Sequence, residues 1–145
     1  MLAIAAVLIG SLSLADGAGA CSCVGPESIY KNSARLAFTG RLLAKDDAGR
    51  SERYTYRVTR VYKTTEKVGL AEGDEITLRV SLIVACGFPQ KEGERYGVMA
   101  IRYDRGETLR AGGCTMTSAE SLRKIAVRNG DADRSGSAAS GCGSA

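Results

Sequence analysis

The most reactive residues of this chain are its five cysteines, and the chain contains no histidine. Without histidine there is no Ser-His-Asp or Cys-His triad, no His-ligated zinc or iron, and no imidazole for proton transfer near neutral pH. The Cys21-Ser22-Cys23 motif has no second close pair of cysteines, so a structural metal site is disfavoured as well. We therefore expect no enzyme, no cofactor and no metal of the protein's own, and we expect the cysteines to form disulfides.

The first 20 residues have the pattern of a signal peptide. Residues 2–15 are apolar and uncharged, but they are fewer than the roughly 20 residues that span a bilayer, so no transmembrane span is expected in the mature chain. Ala18 and Ala20 stand three residues and one residue before Cys21, as signal peptidase requires. We predict a mature chain that begins at Cys21 and is secreted, extracellular or periplasmic. The alternative is a lipoprotein, anchored to a membrane surface through an acylated Cys21.

An exported chain meets oxidising conditions, in which disulfides persist. A bond between Cys21 and Cys23 would be strained, which leaves two pairings with the cysteines at 86 and 114. One is Cys21–Cys86 with Cys23–Cys114 and the other is the crossed pair; the first is the pairing that we predict. The fifth cysteine, Cys142, lies in a Ser-, Gly- and Ala-rich segment and is expected to stay unpaired.

Between the signal peptide and this segment, the sequence predicts five short strands. The clearest has apolar residues at every second position, Ile76, Leu78, Val80, Leu82 and Val84, as a half-buried strand requires. Two earlier strands have their inward positions at Leu36, Phe38, Gly40 and Leu42, and at Tyr54, Tyr56 and Val58, with a bulge expected where Val61 and Tyr62 leave the register. A fourth strand over residues 95–103 is expected to be buried on both faces, and a fifth covers residues 107–114.

One helix follows the strands. Thr117 and Glu120 are spaced as a capping box, which predicts a helix starting at Thr117, and Leu122, Ile125 and Ala126 form its apolar face. Residues 131–145 have little to bury and are predicted to be a disordered tail. Residues 21–130 are thus expected to form one mainly β domain. Five antiparallel strands with a flanking C-terminal helix favour a Greek-key barrel of the OB type, here stapled by disulfides.

Several motifs together resemble a known family. A mature chain opening Cys-Ser-Cys-Val is similar to the N-terminal domain of the tissue inhibitors of metalloproteinases, which belongs to the netrin-like module superfamily. Further motifs occur in the family's order, namely Thr-Arg-Val-Tyr-Lys at 59–63, Ala-Cys-Gly-Phe at 85–88 and Gly-Cys at 113–114. One departure is Ser33, which stands where the family's third bridge begins and leaves Cys142 without a partner.

The resemblance implies a function for the N-terminal residues. In this family the amine and carbonyl oxygen of the first mature residue chelate the active-site zinc of the protease, a role that would fall to Cys21. Ser22 would then enter the specificity pocket of the protease. The rest of the contact edge would comprise Cys23, Val24, Val84, Ala85 and Cys86. The expected partner is a zinc metalloproteinase, and the expected function is its inhibition.

A second function remains open, because a fold does not settle what a domain does. The barrel could be a non-inhibitory extracellular module that binds a protein or a polyanion through Arg53, Arg57, Arg60 and Lys63. The net charge of +4 is too small to identify a partner. Nucleic acid is not expected, since aromatic side chains for base stacking make up only 6% of the residues.

Overall fold

The computed structural model describes residues 23–47, 49, 51–81, 89–102 and 109–131. The predicted signal peptide, Cys21, Ser22, the segment 84–86 and nearly all of the predicted tail, including Cys142, lie outside these ranges. The described residues form two α-helices, six strands and a short 3-10 helix: α1 (Pro26–Asn32), β1 (Leu36–Asp47), β2 (Ser51–Lys63), β3 (Glu75–Ser81), β4 (Arg95–Arg102), β5 (Leu109–Ala111), the 3-10 helix (Gly113–Thr115), β6 (Met116–Ser118) and α2 (Ala119–Arg128).

Five of the strands close into a barrel. The sheet runs β1-β2-β3-β5-β4, and β1 pairs with β4 to complete the ring. The short strand β6 pairs with β4 on the edge that does not face β1. This confirms the predicted mainly β, OB-like barrel with a C-terminal helix. The prediction of entirely antiparallel strands was wrong, because β3 and β5 are parallel. A closed ring with an odd number of strands cannot alternate direction at every neighbour, so one pair must run parallel.

The alternating pattern of β3 is confirmed where the structure describes it. Leu78 and Val80 are buried in the barrel, whereas Thr77 and Arg79, at the alternate positions, are exposed. The fourth strand is buried on both faces, as predicted, with Val98 in the barrel interior and Met99 in a second apolar cluster outside it. Leu82 and Val84 lie outside the described residues.

The predicted bulge near Val61 and Tyr62 is confirmed. Going along β1, the partner on β2 changes from Lys63 to Val61 between Ala37 and Phe38, so Tyr62 is skipped in the pairing. Tyr62 is 4% exposed and packs in the second cluster rather than in the barrel interior. The bulge thus turns a large aromatic side chain outward, toward the helices.

The second cluster joins the barrel to a helical layer, by which we mean α1, α2 and the 3-10 helix. It lies on the outer surface of β1, β2 and β4, and its buried members are Ile29, Tyr30, Ala37, Tyr62, Met99, Leu122, Ile125 and Ala126. The apolar face predicted for the helix is confirmed by the three buried residues of α2. None of the helices in the described ranges is long and apolar enough to cross a bilayer.

The predicted start of the second helix was wrong by one residue. Thr117 belongs to β6 and pairs with Gly97, and the helix is capped instead by Ser118, whose Oγ accepts a hydrogen bond of 3.1 Å from the Ser121 amide. The two candidates are adjacent hydroxyl residues with similar capping strength. Strand pairing with β4 decides between them, because it holds Thr117 in an extended conformation.

Candidate functional site: the N-terminal edge

The sequence predicts a contact edge made by residues 21–24 and 84–86, which we call the N-terminal edge. The structure describes two of its members, Cys23 and Val24, and the other five lie outside the described residues. What the structure defines is therefore how the edge is anchored and how its described part is presented.

The first anchor is a disulfide between Cys23 and Cys114, with Cα atoms 5.6 Å apart and a sequence separation of 91. Cys114 was expected at the end of the fifth strand. It lies instead in the 3-10 helix that follows β5, and it packs against the second apolar cluster. The bond therefore ties the N-terminal segment to the helical layer. The predicted Cys21–Cys86 bond lies outside the described residues.

The second anchor is α1, a helix that sequence reasoning missed by treating the segment after Cys23 as extended. Pro26 at its first turn, Glu27 beside it and Lys31 in the last turn are ordinary helix signals that could have revealed it. Seven residues form a marginal helix in isolation. Tertiary contacts supply the missing stability, because Ile29 and Tyr30 are buried against the barrel and α2.

Side-chain contacts fix α1 in place around Tyr30, which is fully buried. The Tyr30 hydroxyl donates a hydrogen bond of 2.9 Å to Asp131 Oδ2, so ordered contacts include the first residue of the predicted tail. Lys63 Nζ lies 4.2 Å from the centre of the Tyr30 ring and donates to the Tyr30 carbonyl oxygen. At the surface, Arg128 of α2 lies 2.9 Å from Glu27.

Between the two anchors the chain is open to solvent. Cys23, Val24 and Gly25 are all exposed, and Val24 is 64% exposed, the highest value among the exposed large apolar residues of the described ranges. A segment held at both ends has already lost much of its conformational freedom. Binding of its apolar side chain to a partner therefore costs little further entropy. This arrangement suits a segment that docks into a partner's cleft in an extended form.

The basic residues predicted for polyanion binding do not form one free surface. Arg57 Nη2 lies 2.5 Å from Glu75 Oε1 and Arg60 Nε lies 3.9 Å from Glu72 Oε1. Lys63 is turned toward α1, as described above. Of the four predicted residues, only Arg53 is without such an engagement among the described residues, and polyanion binding by the group stays a prediction.

The barrel interior contains two tyrosine hydroxyls beside polar partners. Burial, reinforced by Glu52, raises the pKa of Tyr54 to about 12, and burial also raises the pKa of Tyr56, whose hydroxyl donates to Gln90 Oε1 at 2.6 Å. Both phenols stay protonated at neutral pH and act as hydrogen-bond donors. Nowhere in the described ranges do three or more His, Cys, Asp or Glu side chains meet as a metal site would need.

Comparison with known proteins adds no relative to this picture. No family model matches the sequence, and no curated protein matches it. The resemblance to the tissue inhibitors of metalloproteinases therefore stays a prediction from the motifs. The barrel, the Cys23–Cys114 bond and the exposed segment after it are what the structure contributes.

Proposed function

We propose that the protein is a secreted inhibitor of zinc metalloproteinases that acts through the free amine and the carbonyl oxygen of Cys21. The observation that supports this most strongly is the combination of a covalent anchor at Cys23 with the exposure of Val24 and Gly25 after it. Cys21 is two residues from that anchor. A metal-chelating terminus needs a restricted backbone, which the predicted Cys21–Cys86 bond would supply. A disulfide is also compatible with an extracellular protein.

The chemistry of the proposed contact is simple coordination. An α-amine has an ordinary pKa of about 7.7–8.0, so it loses its proton readily when its lone pair meets zinc. The amine nitrogen and the carbonyl oxygen of the same residue bind the ion together in a five-membered ring, and they replace the water that the protease uses for attack. Anchoring lowers the entropy lost on binding, which is where the disulfide contributes to affinity.

The flanking side chains set the strength of the contact. Ser22 is small and fills little of a deep pocket, so affinity is expected to be highest for a protease whose pocket accepts small residues. Val24 supplies exposed apolar surface next to the anchor. The remaining members of the edge, Val84, Ala85 and Cys86, would complete the contact from the segment after β3.

The amino terminus itself tests the proposal. Intact mass and N-terminal sequencing of the exported protein should show a free Cys21, and this protein should inhibit a zinc metalloprotease. Adding one alanine ahead of Cys21 moves the amine away from the zinc and should abolish inhibition, with the unfolding transition unchanged. An acylated Cys21, or inhibition that survives the added alanine, would overturn the mechanism. An acylated Cys21 would indicate a surface-anchored lipoprotein instead.

A pair of matched substitutions tests the contact edge separately from the zinc. Val24→Ala should weaken inhibition about fivefold, the equivalent of about 1 kcal/mol of lost apolar contact. Val127→Ala on α2 is the control, because Val127 is also an exposed valine, at 53%, but belongs to another surface. Equal effects of the two substitutions would place the protease contact elsewhere.

A further inference from the structure

Three arginines lie side by side on the outer surface of the barrel. Arg53 of β2 pairs directly with Arg79 of β3, and Arg79 pairs directly with Arg110 of β5. All three are exposed, and their sequence neighbours Tyr54, Leu78, Val80 and Ala111 are buried on the inner side. We call these three residues the arginine row.

The arginine row places like charges at very short spacing. Neighbouring strands are about 5 Å apart, so the three side chains leave the sheet at intervals of that size. Like charges directly opposite each other destabilise a sheet. Among the described residues none of the three forms an ion pair, and Asp46, which pairs with Arg53 on β1, is not within salt-bridge distance of it.

A second set of arginines on the same barrel shows what a compensated row looks like. Arg95, Arg41 and Arg57 also lie opposite one another across β4, β1 and β2. This row ends at Glu75, which is 2.5 Å from Arg57, and Arg41 donates a hydrogen bond of 3.1 Å to the Gly93 carbonyl oxygen. The arginine row ends at Asp46 opposite Arg53, but no carboxylate of the described ranges lies within salt-bridge distance of its three guanidinium groups. Its charge is therefore open to an external anion.

The surroundings of the arginine row narrow the kind of anion. Thr55 and Thr77 adjoin it on the same outer face, and their hydroxyls lie 2.9 Å apart, so further hydrogen-bonding groups are at hand. The described outward positions of β2 and β3 beside the row carry no aromatic side chain, because Tyr54 and Tyr56 point into the barrel. Single-stranded nucleic acid is bound largely by stacking on aromatic rings. The face therefore suits a ligand recognised by charge and hydrogen bonds.

We propose that the arginine row is a binding site for a polyanionic polysaccharide whose sulfate or phosphate groups bridge adjacent arginines. The planar guanidinium group binds such oxyanions through two parallel hydrogen bonds. The outer surface of strands 2 and 3 is also where OB barrels commonly bind oligosaccharides and oligonucleotides. The site shares no residue with the N-terminal edge, and it stands whether or not the protein inhibits a protease.

One substitution tests the proposal with two opposite readouts. Arg79→Glu turns both like-charge pairs of the row into opposite-charge pairs, so the melting temperature of the free protein should rise. The same change should weaken binding to immobilised dextran sulfate at least tenfold. Because the variant is expected to be more stable, weaker binding would not result from misfolding. Unchanged binding by Arg79→Glu would overturn the proposal.

The matched control is Arg123→Glu on α2, which makes the same change in net charge. Arg123 is exposed, and α2 packs on the β1, β4 and β6 side of the barrel. Its binding should stay within twofold of the wild type, and its melting temperature should not rise. Equal loss of binding in both variants would show that net charge alone attracts the polyanion, and would overturn the assignment to the arginine row.

The probes distinguish the chemistry of the ligand. Dextran sulfate and phosphorylated dextran of equal chain length should both bind, and the tighter of the two identifies the preferred group, whereas unmodified dextran should not bind. With Arg79→Gln, the slope of log affinity against log salt concentration should become less steep by about one, as expected for one lost anion contact. Tighter binding of oligo(dT) than of either charged dextran would overturn the proposal in favour of nucleic acid.

Discussion

The barrel and the helical layer hold their shapes by different means. In the barrel, every strand is hydrogen-bonded on both sides, and one continuous apolar cluster fills the interior. The helical layer depends on one disulfide, one helix of 7 residues, one of 10, and a smaller apolar cluster. The two proposed sites therefore rest on different supports, because the arginine row belongs to the barrel, whereas the described part of the N-terminal edge is tied to the helical layer through Cys23.

The two regions meet on strands that are buried on both faces. On β1, Phe38 packs into the barrel and Ala37 into the helical layer; on β4, Val98 and Met99 divide in the same way. Glycine at 97 lets α2 approach β4 closely. The regions can therefore be perturbed separately by choosing the face on which a side chain is changed.

The largest difference in effect between the two regions is expected when the disulfide is removed by Cys23→Ser and Cys114→Ser together. Closing a loop of this length is worth up to about 4 kcal/mol in chain-entropy models. Protease inhibition should be lost because α1 and the N-terminal edge are released, whereas binding of charged dextran should stay within twofold. Urea unfolding measures the loss of stability, and the protease-inhibition and dextran-binding assays measure the two functions. The matched control is Cys142→Ser. Inhibition that survived reduction of the bond would contradict the proposed anchoring role.

Substituting alanine for one glycine in each region compares how tightly the two regions are packed. A Cβ at Gly97 would lie 2.6 Å from Leu122 Cβ and 2.8 Å from the Ser118 carbonyl oxygen, whereas at Gly40, in the barrel, the nearest atom is Phe38 Cε2 at 3.0 Å. Gly97→Ala should lower the free energy of unfolding by about 2 kcal/mol and Gly40→Ala by about 1 kcal/mol. Hydrogen exchange should show faster opening of α2 in Gly97→Ala. The reverse order of stability would mean that the barrel is the more tightly packed region.

Alkaline pH should destabilise the barrel through the buried phenol of Tyr54. Burial and the Glu52 carboxylate raise the pKa of Tyr54 from 10.0 to about 12, so the folded state holds the phenol proton more tightly than the unfolded chain. This contribution to stability is complete below pH 10 and is lost as the pH rises from 10 to 12. Urea unfolding across that interval should show a shallower decline for Tyr54→Phe. Identical slopes in the variant and the wild type would be evidence against this origin.

The smallest effect concerns the surface contact between α1 and α2. Arg128→Gln removes the ion pair with Glu27, which is half-exposed on both sides and worth about 0.5 kcal/mol. Glu27→Gln should cost a similar amount, and the double variant should cost no more than either single one. The difference should shrink in about 1 M salt, because screening weakens exposed ion pairs. Additive losses in the double variant would show that the two side chains act independently.

Some features could be predicted because they depend on neighbouring residues alone. The alternation around Leu78 and the apolar face of α2 at Leu122 follow from the periods of a strand and a helix. The fold class followed from the number of such segments. The cysteine at 114 could be proposed as a partner of Cys23 because few cysteines were available.

Other features could not be predicted from neighbouring residues alone. The helix α1 is too short to be recognised by a periodic pattern, and its stability comes from burial of Tyr30 against residues far away in sequence. Strand β6, which pairs with β4, has only 3 residues. For the candidate surfaces, the sequence could not show that Arg57, Arg60 and Lys63 are engaged, because the carboxylates and the ring that contact them come from other elements.

The sequence by itself determined which residues turn inward on the first three strands, where the last helix has its apolar face, and which cysteines were available for bonding. These properties depend on the local period of the backbone and on composition. Only the tertiary structure decided the parallel pairing of β3 with β5, and with it the alignment of Arg53, Arg79 and Arg110. The register between strands is fixed by closure of the whole barrel, because each strand must fit two neighbours at once, and no single segment carries that information.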